Sequence, residues 1–174
     1  MNRERYEATV RLFSDNKIAN RLLWFIYKVL PNVIFISYPV LLAAEFFVMG
    51  ATLEWANLAA VPFLVLALVT VMRFAINEKR PYEKYGIDSV FHKKTVGKSM
   101  PSRHTASAFI IAMTFLYVNI PLGVFMLATA ALISASRVLA GAHYIRDVLA
   151  GAAIGVLFGL SYFFNISLLQ LPLK

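Results

Sequence analysis

Residues 58 to 76, LAAVPFLVLALVTVMRFAI, form an unbroken run with one charge, Arg73. About 20 such residues carry a helix across a hydrocarbon core roughly 30 Å thick. The run has company. Apolar stretches also occupy residues 22 to 50, 102 to 119, 121 to 139 and about 144 to 169. Inside lipid every backbone N–H and C=O needs an internal partner, so runs of this length fold as helices. The hydrophobic share of the chain, 60%, exceeds the roughly 45–50% of soluble domains. The predicted fold is all-α, a polytopic transmembrane helix bundle of about five spans plus an N-terminal amphipathic helix.

The first stretch, with Pro31, Pro39 and Glu45 inside it, is too short for two spans and is expected to form one long, tilted or kinked helix. Glu54, Trp55 and Asn57 read as a polar turn before the second span. Ahead of these, residues 1 to 20 carry many charges and no apolar signal-peptide core. Their Tyr6, Val10, Phe13 and Ile18 recur at near-helical spacing among arginines, as in a helix lying at the headgroup level. Residues 77 to 101 make the long hydrophilic segment, expected to be an active-site loop. Gly151, Gly155 and Gly159 recur every four residues, a stripe that lets membrane helices approach closely. One domain, 1–174, is expected to contain all of this.

The chain has no cysteine and three histidines, so thiolate sites are excluded and a metal centre would have to recruit carboxylates. A net charge of +8 on so apolar a chain points to anionic headgroups or a phosphorylated lipid substrate in the bilayer rather than to nucleic acid.

Three polar clusters stand out, since ionisable groups near membrane depth are costly unless they serve a purpose. Arg73 and Arg80, with Lys79 and Pro81 beside the second, lie seven residues apart, about two helical turns, and are expected on nearly one face. A guanidinium's planar fork suits phosphate oxygens, although basic residues at a span end are more often anchors in the headgroups. Pro101, Ser102, Arg103, His104 and Thr105 open the third span, where a helix start offers free N–H groups to an anion. Ser136, Arg137, His143 and Asp147 form the last cluster, and His143 and Asp147 have the i, i+4 spacing that lets them hydrogen-bond on a helix. A carboxylate on one imidazole nitrogen leaves the other free to attack or to take a proton, and the same pair could equally be structural. His92, with Lys93, Lys94 and Lys98, reads as a solvated basic loop rather than a further catalytic group. Tyr82 and Tyr85 carry no specific expectation beyond an interfacial place.

In order and spacing, Arg73-x6-Arg80-Pro81, Pro101-Ser102-x-His104 and Ser136-Arg137-x5-His143-x3-Asp147 resemble the three signature motifs of the type 2 phosphatidic acid phosphatase (PAP2) superfamily. The resemblance covers roughly residues 73 to 159. It implies a phosphohistidine on His143, oriented by Asp147, with His104 as proton donor to the leaving group. It implies a phosphate cradle of Arg73, Arg80, Arg137 and the Ser102 hydroxyl, with no metal or other cofactor required. The chain departs from the family pattern at Arg73, usually lysine, and at Arg103, usually glycine. Arg103 and Lys79 are candidate substrate contacts.

The implied activity is release of phosphate from a membrane lipid phosphate or diphosphate, of the phosphatidic acid, phosphatidylglycerol phosphate or isoprenyl diphosphate class. A lipid phosphotransferase using the same histidine, or a non-catalytic protein binding anionic lipids, are the alternative readings. Family resemblance favours a site outside the cytoplasm, whereas the lysines and arginines on the site's side of the membrane argue the reverse. Nothing in the sequence speaks to oligomeric state.

Overall fold

In the computed structural model, which describes residues 3–164, short polar side chains punctuate the helices. The Asn16 side chain accepts the N–H groups of Ile18 and Ala19 at 3.0 and 3.1 Å and separates α1 (Arg3–Asp15) from α2 (Lys17–Trp24). Thr52 accepts the Trp55 N–H at 3.2 Å to start α4 (Leu53–Ile76), after α3 (Leu30–Met49) has ended at Gly50. Asn119 accepts the Leu122 N–H at 3.0 Å at the turn from α6 (Arg103–Val118) into α7 (Ile120–Leu139). Each satisfies helix-start donors that would otherwise lack partners. A five-residue helix, α5 (Pro81–Tyr85), lies within the hydrophilic loop, and α8 (Ile145–Gly159) closes the bundle.

Four helical stretches, Lys17–Met49, Leu53–Tyr85, Ile120–Leu139 and Ile145–Tyr162, are long and apolar enough to cross a bilayer. The remaining expected span is α6, which at 16 residues is shorter and is the most enclosed. It packs chiefly against α7 and α8 and also meets α3 and α4. Small residues make this possible. Cβ atoms placed on Gly151 and Gly155 would stand 2.6 Å from the Ser102 carbonyl and 2.8 Å from that of Ala106, so α8 lies against the α6 backbone. Gly159 continues the contact onto Met113, and Gly123 of α7 lies against Leu116.

Residues 17 to 49 form one continuous helical stretch, as expected, but its irregularity is a π turn at Phe25–Val29. Pro31 has no N–H to give to the Tyr27 carbonyl four residues earlier. The Arg137 guanidinium takes that carbonyl instead, Nη2 to O 3.1 Å. Glu54, Trp55 and Asn57 belong to the first turns of α4 rather than to a turn of their own, because Thr52 caps the helix ahead of them. Glu54 then accepts a hydrogen bond from Tyr117 at 2.7 Å, and the Trp55 indole donates to the Leu42 carbonyl at 2.9 Å. The last span was expected to reach Leu169; residues beyond 164 lie outside those described.

The amphipathic N-terminal segment is α1 and the start of α2, and it is not merely laid on the surface. Tyr6 is fully buried with Val10, Leu23, Tyr27, Tyr82 and Val90, and its hydroxyl lies 3.2 and 3.3 Å from the carbonyls of Ile87 and Gly141. Ile18, expected on the same apolar face, is exposed instead, because Asn16 restarts the helix in a new phase.

Candidate active site

The nucleophile candidate sits on a turn, not a helix. After Leu139 the chain folds back so that the N–H groups of Ala142 and His143 both reach the Arg137 carbonyl, at 3.0 and 3.2 Å. Gly141 at φ 72° makes the reversal, a conformation glycine adopts without the penalty a side chain brings. α8 begins two residues after His143. Its Asp147 accepts the Tyr144 N–H at 3.0 Å, while the same oxygen lies 3.4 Å from His143 Nδ1. The i, i+4 pair therefore meets across a helix N-terminus rather than along one helical face as expected. Asp147 is fully buried and caps the helix as it orients the imidazole.

A third group shares that carboxylate. Ser99 donates to Asp147 Oδ2 at 2.5 Å and lies 3.5 Å from His143 Nδ1. No sequence motif singled it out, since one more serine in a polar loop carries no spacing signal. The chain then turns through a cis Met100–Pro101 peptide to the start of α6, where the Ser102 N–H donates to the Asp147 carbonyl at 2.9 Å. The starts of α6 and α8 are pinned together directly.

Arg73 and Arg80 do not share a helical face. Asn77, at φ 43°, ends α4 in the left-handed conformation, and Arg80 stands at the start of α5. Their guanidiniums nevertheless converge. Arg73 Nη1 donates to the Pro101 carbonyl at 3.0 Å; Arg80 Nε donates to Gly97 at 3.1 Å and Nη1 to Ala142 at 3.4 Å. Glu83 fixes the intervening loop by accepting the N–H groups of Arg80 and Gly97 at 3.0 and 2.8 Å. Arg137, held by Tyr27, also stacks over the Tyr27 ring at 3.9 Å, and its Nε is buried without a partner.

These side chains enclose a cavity of about 210 Å³, lined by Tyr27, Arg73, Arg80, Lys93, Thr95, Arg103, His104, Arg137 and His143. Five cations face it and no carboxylate does. Arg73, Arg80 and Arg137 are buried, and buried like charges are stable only with an anion among them. Burial, with Arg80 and Arg73 adding to it and Asp147 opposing, pulls the His143 imidazole down to about 4. That shift favours the neutral ring near pH 7, and a proton on Nδ1, facing Asp147, would leave Nε2 with a free lone pair.

Ser102 lies behind the wall. It is fully buried, its hydroxyl accepts from Thr105 at 3.1 Å, and it does not line the cavity as the expected phosphate ligand would. Lys79 is exposed and also lies off the lining. Lys93, by contrast, faces inward from the basic loop, 5.6 Å from the Tyr27 ring centre. His92 pairs with Asp88 in the open; Tyr82 is buried and donates to the Thr95 carbonyl, and Tyr85 stacks on Tyr6. Among the described residues no three His, Asp or Glu side chains gather as a metal site would need.

Arg103 and His104 also line a second space, an apolar groove of about 490 Å³ between α3, α4 and α6. Phe35, Tyr38, Leu42, Phe63, Leu66 and Ile110 supply much of its wall.

The sequence profile of the PAP2 superfamily matches residues 54–167, well over half of the chain. The chain belongs to the PAP2 superfamily. It is a lipid phosphatase of the multi-pass membrane type. Among curated relatives, the undecaprenyl-diphosphatase BcrC of Bacillus subtilis is 26% identical over 94% of this chain and 83% of its own length. Two solved structures share the fold. LpxE of Aquifex aeolicus superposes with a TM-score of 0.69 at 22% identity, covering 89% of this chain and 92% of its own. A transmembrane PAP2-type phosphatidylglycerolphosphate phosphatase of Bacillus subtilis also gives 0.69, at 21% identity, covering 97% and 88%.

Proposed function

We propose that this PAP2 protein hydrolyses the terminal phosphate of a membrane lipid phosphate or diphosphate through a phosphohistidine on His143, without a metal. One observation carries the reading: a cavity with five cations and no carboxylate opens beside an apolar groove, with Arg103 and His104 on their shared wall. The phosphoryl group would fill the first and the lipid chain the second. The relatives named for lipid diphosphates and lipid phosphates fit the same substrate class.

His143 Nε2 attacks phosphorus while Asp147 holds the Nδ1 proton and stabilises the charge that develops on the ring. Arg73, Arg80 and Arg137 hold the equatorial oxygens. Each is already anchored by a backbone carbonyl, so little reorganisation accompanies the reaction. His104 gives a proton to the leaving oxygen. Water then attacks the phosphohistidine, the N–P bond breaks, the water's proton passes to His104 and inorganic phosphate departs. Ser102 contributes by joining α6 to α8 rather than through its hydroxyl. We place the site outside the cytoplasm. Maleimide labelling of Asp88→Cys in intact cells, clean in a chain without native cysteine, would refute that placement if only lysed cells were labelled.

Phosphate release by purified protein in detergent with excess chelator, across a panel of lipid phosphates, tests the reaction. Turnover is expected to survive chelation and to vanish in His143→Ala. Release that persists in His143→Ala, or that stops on chelation, refutes the mechanism.

A further inference from the structure

The cavity holds more positive charge than one phosphate requires. A phosphate monoester carries roughly two negative charges near neutrality, and the three anchored guanidiniums of Arg73, Arg80 and Arg137 already meet it. Lys93 and Arg103 are surplus to that set and differ from it in placement. Lys93 reaches in from the loop, half-buried, and Arg103 is exposed at the junction of the cavity with the groove. Both are charged neighbours of His104. A lipid whose terminal phosphate is held by the anchored arginines and whose tail lies in the groove must pass between them at Arg103.

On the reading of His143 as a lipid phosphatase nucleophile, we propose that Arg103 and Lys93 form a subsite for a second phosphate, and that lipid diphosphates are the preferred substrates. Attack by His143 on the terminal phosphorus breaks its bond to the bridging oxygen. The electron pair stays on that oxygen, which departs as part of a lipid monophosphate. This leaving group is a stable anion and needs neutralising charge more than a proton. A guanidinium supplies that charge at any working pH, whereas an alkoxide leaving from a monophosphate depends on the proton of His104. Where the family usually has glycine, Arg103 thus acts as a specificity-determining residue.

The test uses farnesyl phosphate and farnesyl diphosphate, which share one tail, with wild type, Arg103→Gly, Arg103→Lys and Lys93→Ala at matched Tm. A charge-assisted hydrogen bond that strengthens as the leaving group departs corresponds to roughly 10–100-fold in rate. Wild type is expected to favour the diphosphate, and the ratio of the two kcat/KM values is expected to fall about tenfold or more in Arg103→Gly. The ratio should fall in the same direction in Lys93→Ala, with part of it retained in Arg103→Lys. A wild type that favours the monophosphate, or a ratio unchanged in Arg103→Gly, overturns the subsite and leaves the phosphatase reading standing. No His143-dependent release from either lipid overturns both.

Discussion

Gly151→Ala tests how closely the reacting groups depend on helix packing. A Cβ at Gly151 would lie 2.6 Å from the Ser102 carbonyl and 3.2 Å from the Ala106 nitrogen. Ordinary contact begins at 3.4 Å, so α6 and α8 must separate by up to 0.8 Å at backbone atoms that cannot swing aside. Overpacking of this kind costs about 1–3 kcal/mol. Gly151 lies one turn beyond Asp147, and Ser102 lies two residues before His104, so the displacement parts His104, the proposed proton donor, from His143, the proposed nucleophile. A misplacement near 1 Å costs on the order of 100-fold, and kcat/KM is expected to fall by some tens of fold with a lower Tm. Gly159→Ala is the comparison. Its Cβ would stand 2.4 Å from that of Met113, about 12 Å further along α8, so Tm should fall while kcat/KM per folded molecule falls far less. Phosphate release and thermal unfolding in one detergent read both. Full activity and stability in Gly151→Ala would refute the reasoning, as would equal activity losses in the two variants.

Acidification bears on stability through His143. Its folded value is depressed to about 4 by burial, so as pH falls through about 6.5 the unfolded chain takes up a proton that the folded chain refuses. Stability present above that pH is lost between about 6.5 and 4. Wild type should lose more Tm than His143→Gln on going from pH 7 to 5, and parallel losses would contradict the burial argument. Ser99→Ala removes the 2.5 Å donor to Asp147, leaving Oδ2 shared between the Tyr144 N–H and His143 only. We expect roughly a tenfold fall in kcat with KM little changed, the acid limb of the rate profile moving to higher pH, and partial rescue by Ser99→Thr. A pH profile that does not move would reduce Ser99 to a packing role.

Periodicity and punctuation made the membrane helices legible, because in lipid the backbone has few other options. The glycine stripe was legible for the same reason: only a missing side chain lets α8 meet the α6 backbone. Loop geometry was not. Arg73 and Arg80 were expected together on one face, and they come together although Asn77 ends the helix between them. What joins them is a pair of carbonyls, Pro101 and Gly97, that no spacing rule picks out. His143 and Asp147 likewise meet through a capping turn. Ser99 and Lys93 depend wholly on how residues 86 to 101 fold, and Ser102, conspicuous in sequence, turned out to face the helix pair rather than the cavity.

The brevity of α6 sets the working depth. Sixteen residues rise about 24 Å, some 6 Å short of a hydrocarbon core near 30 Å. Its far end is tied to α4 by the Tyr117–Glu54 hydrogen bond; with that end at one edge of the core, so short a helix would hold His104 about 6 Å inside the opposite edge. On the proposed reading a headgroup entering the cavity would sink by about the height of one phosphate while its tail stayed among other tails, and the protein would lower the water's edge to its substrate rather than lift the substrate from the bilayer.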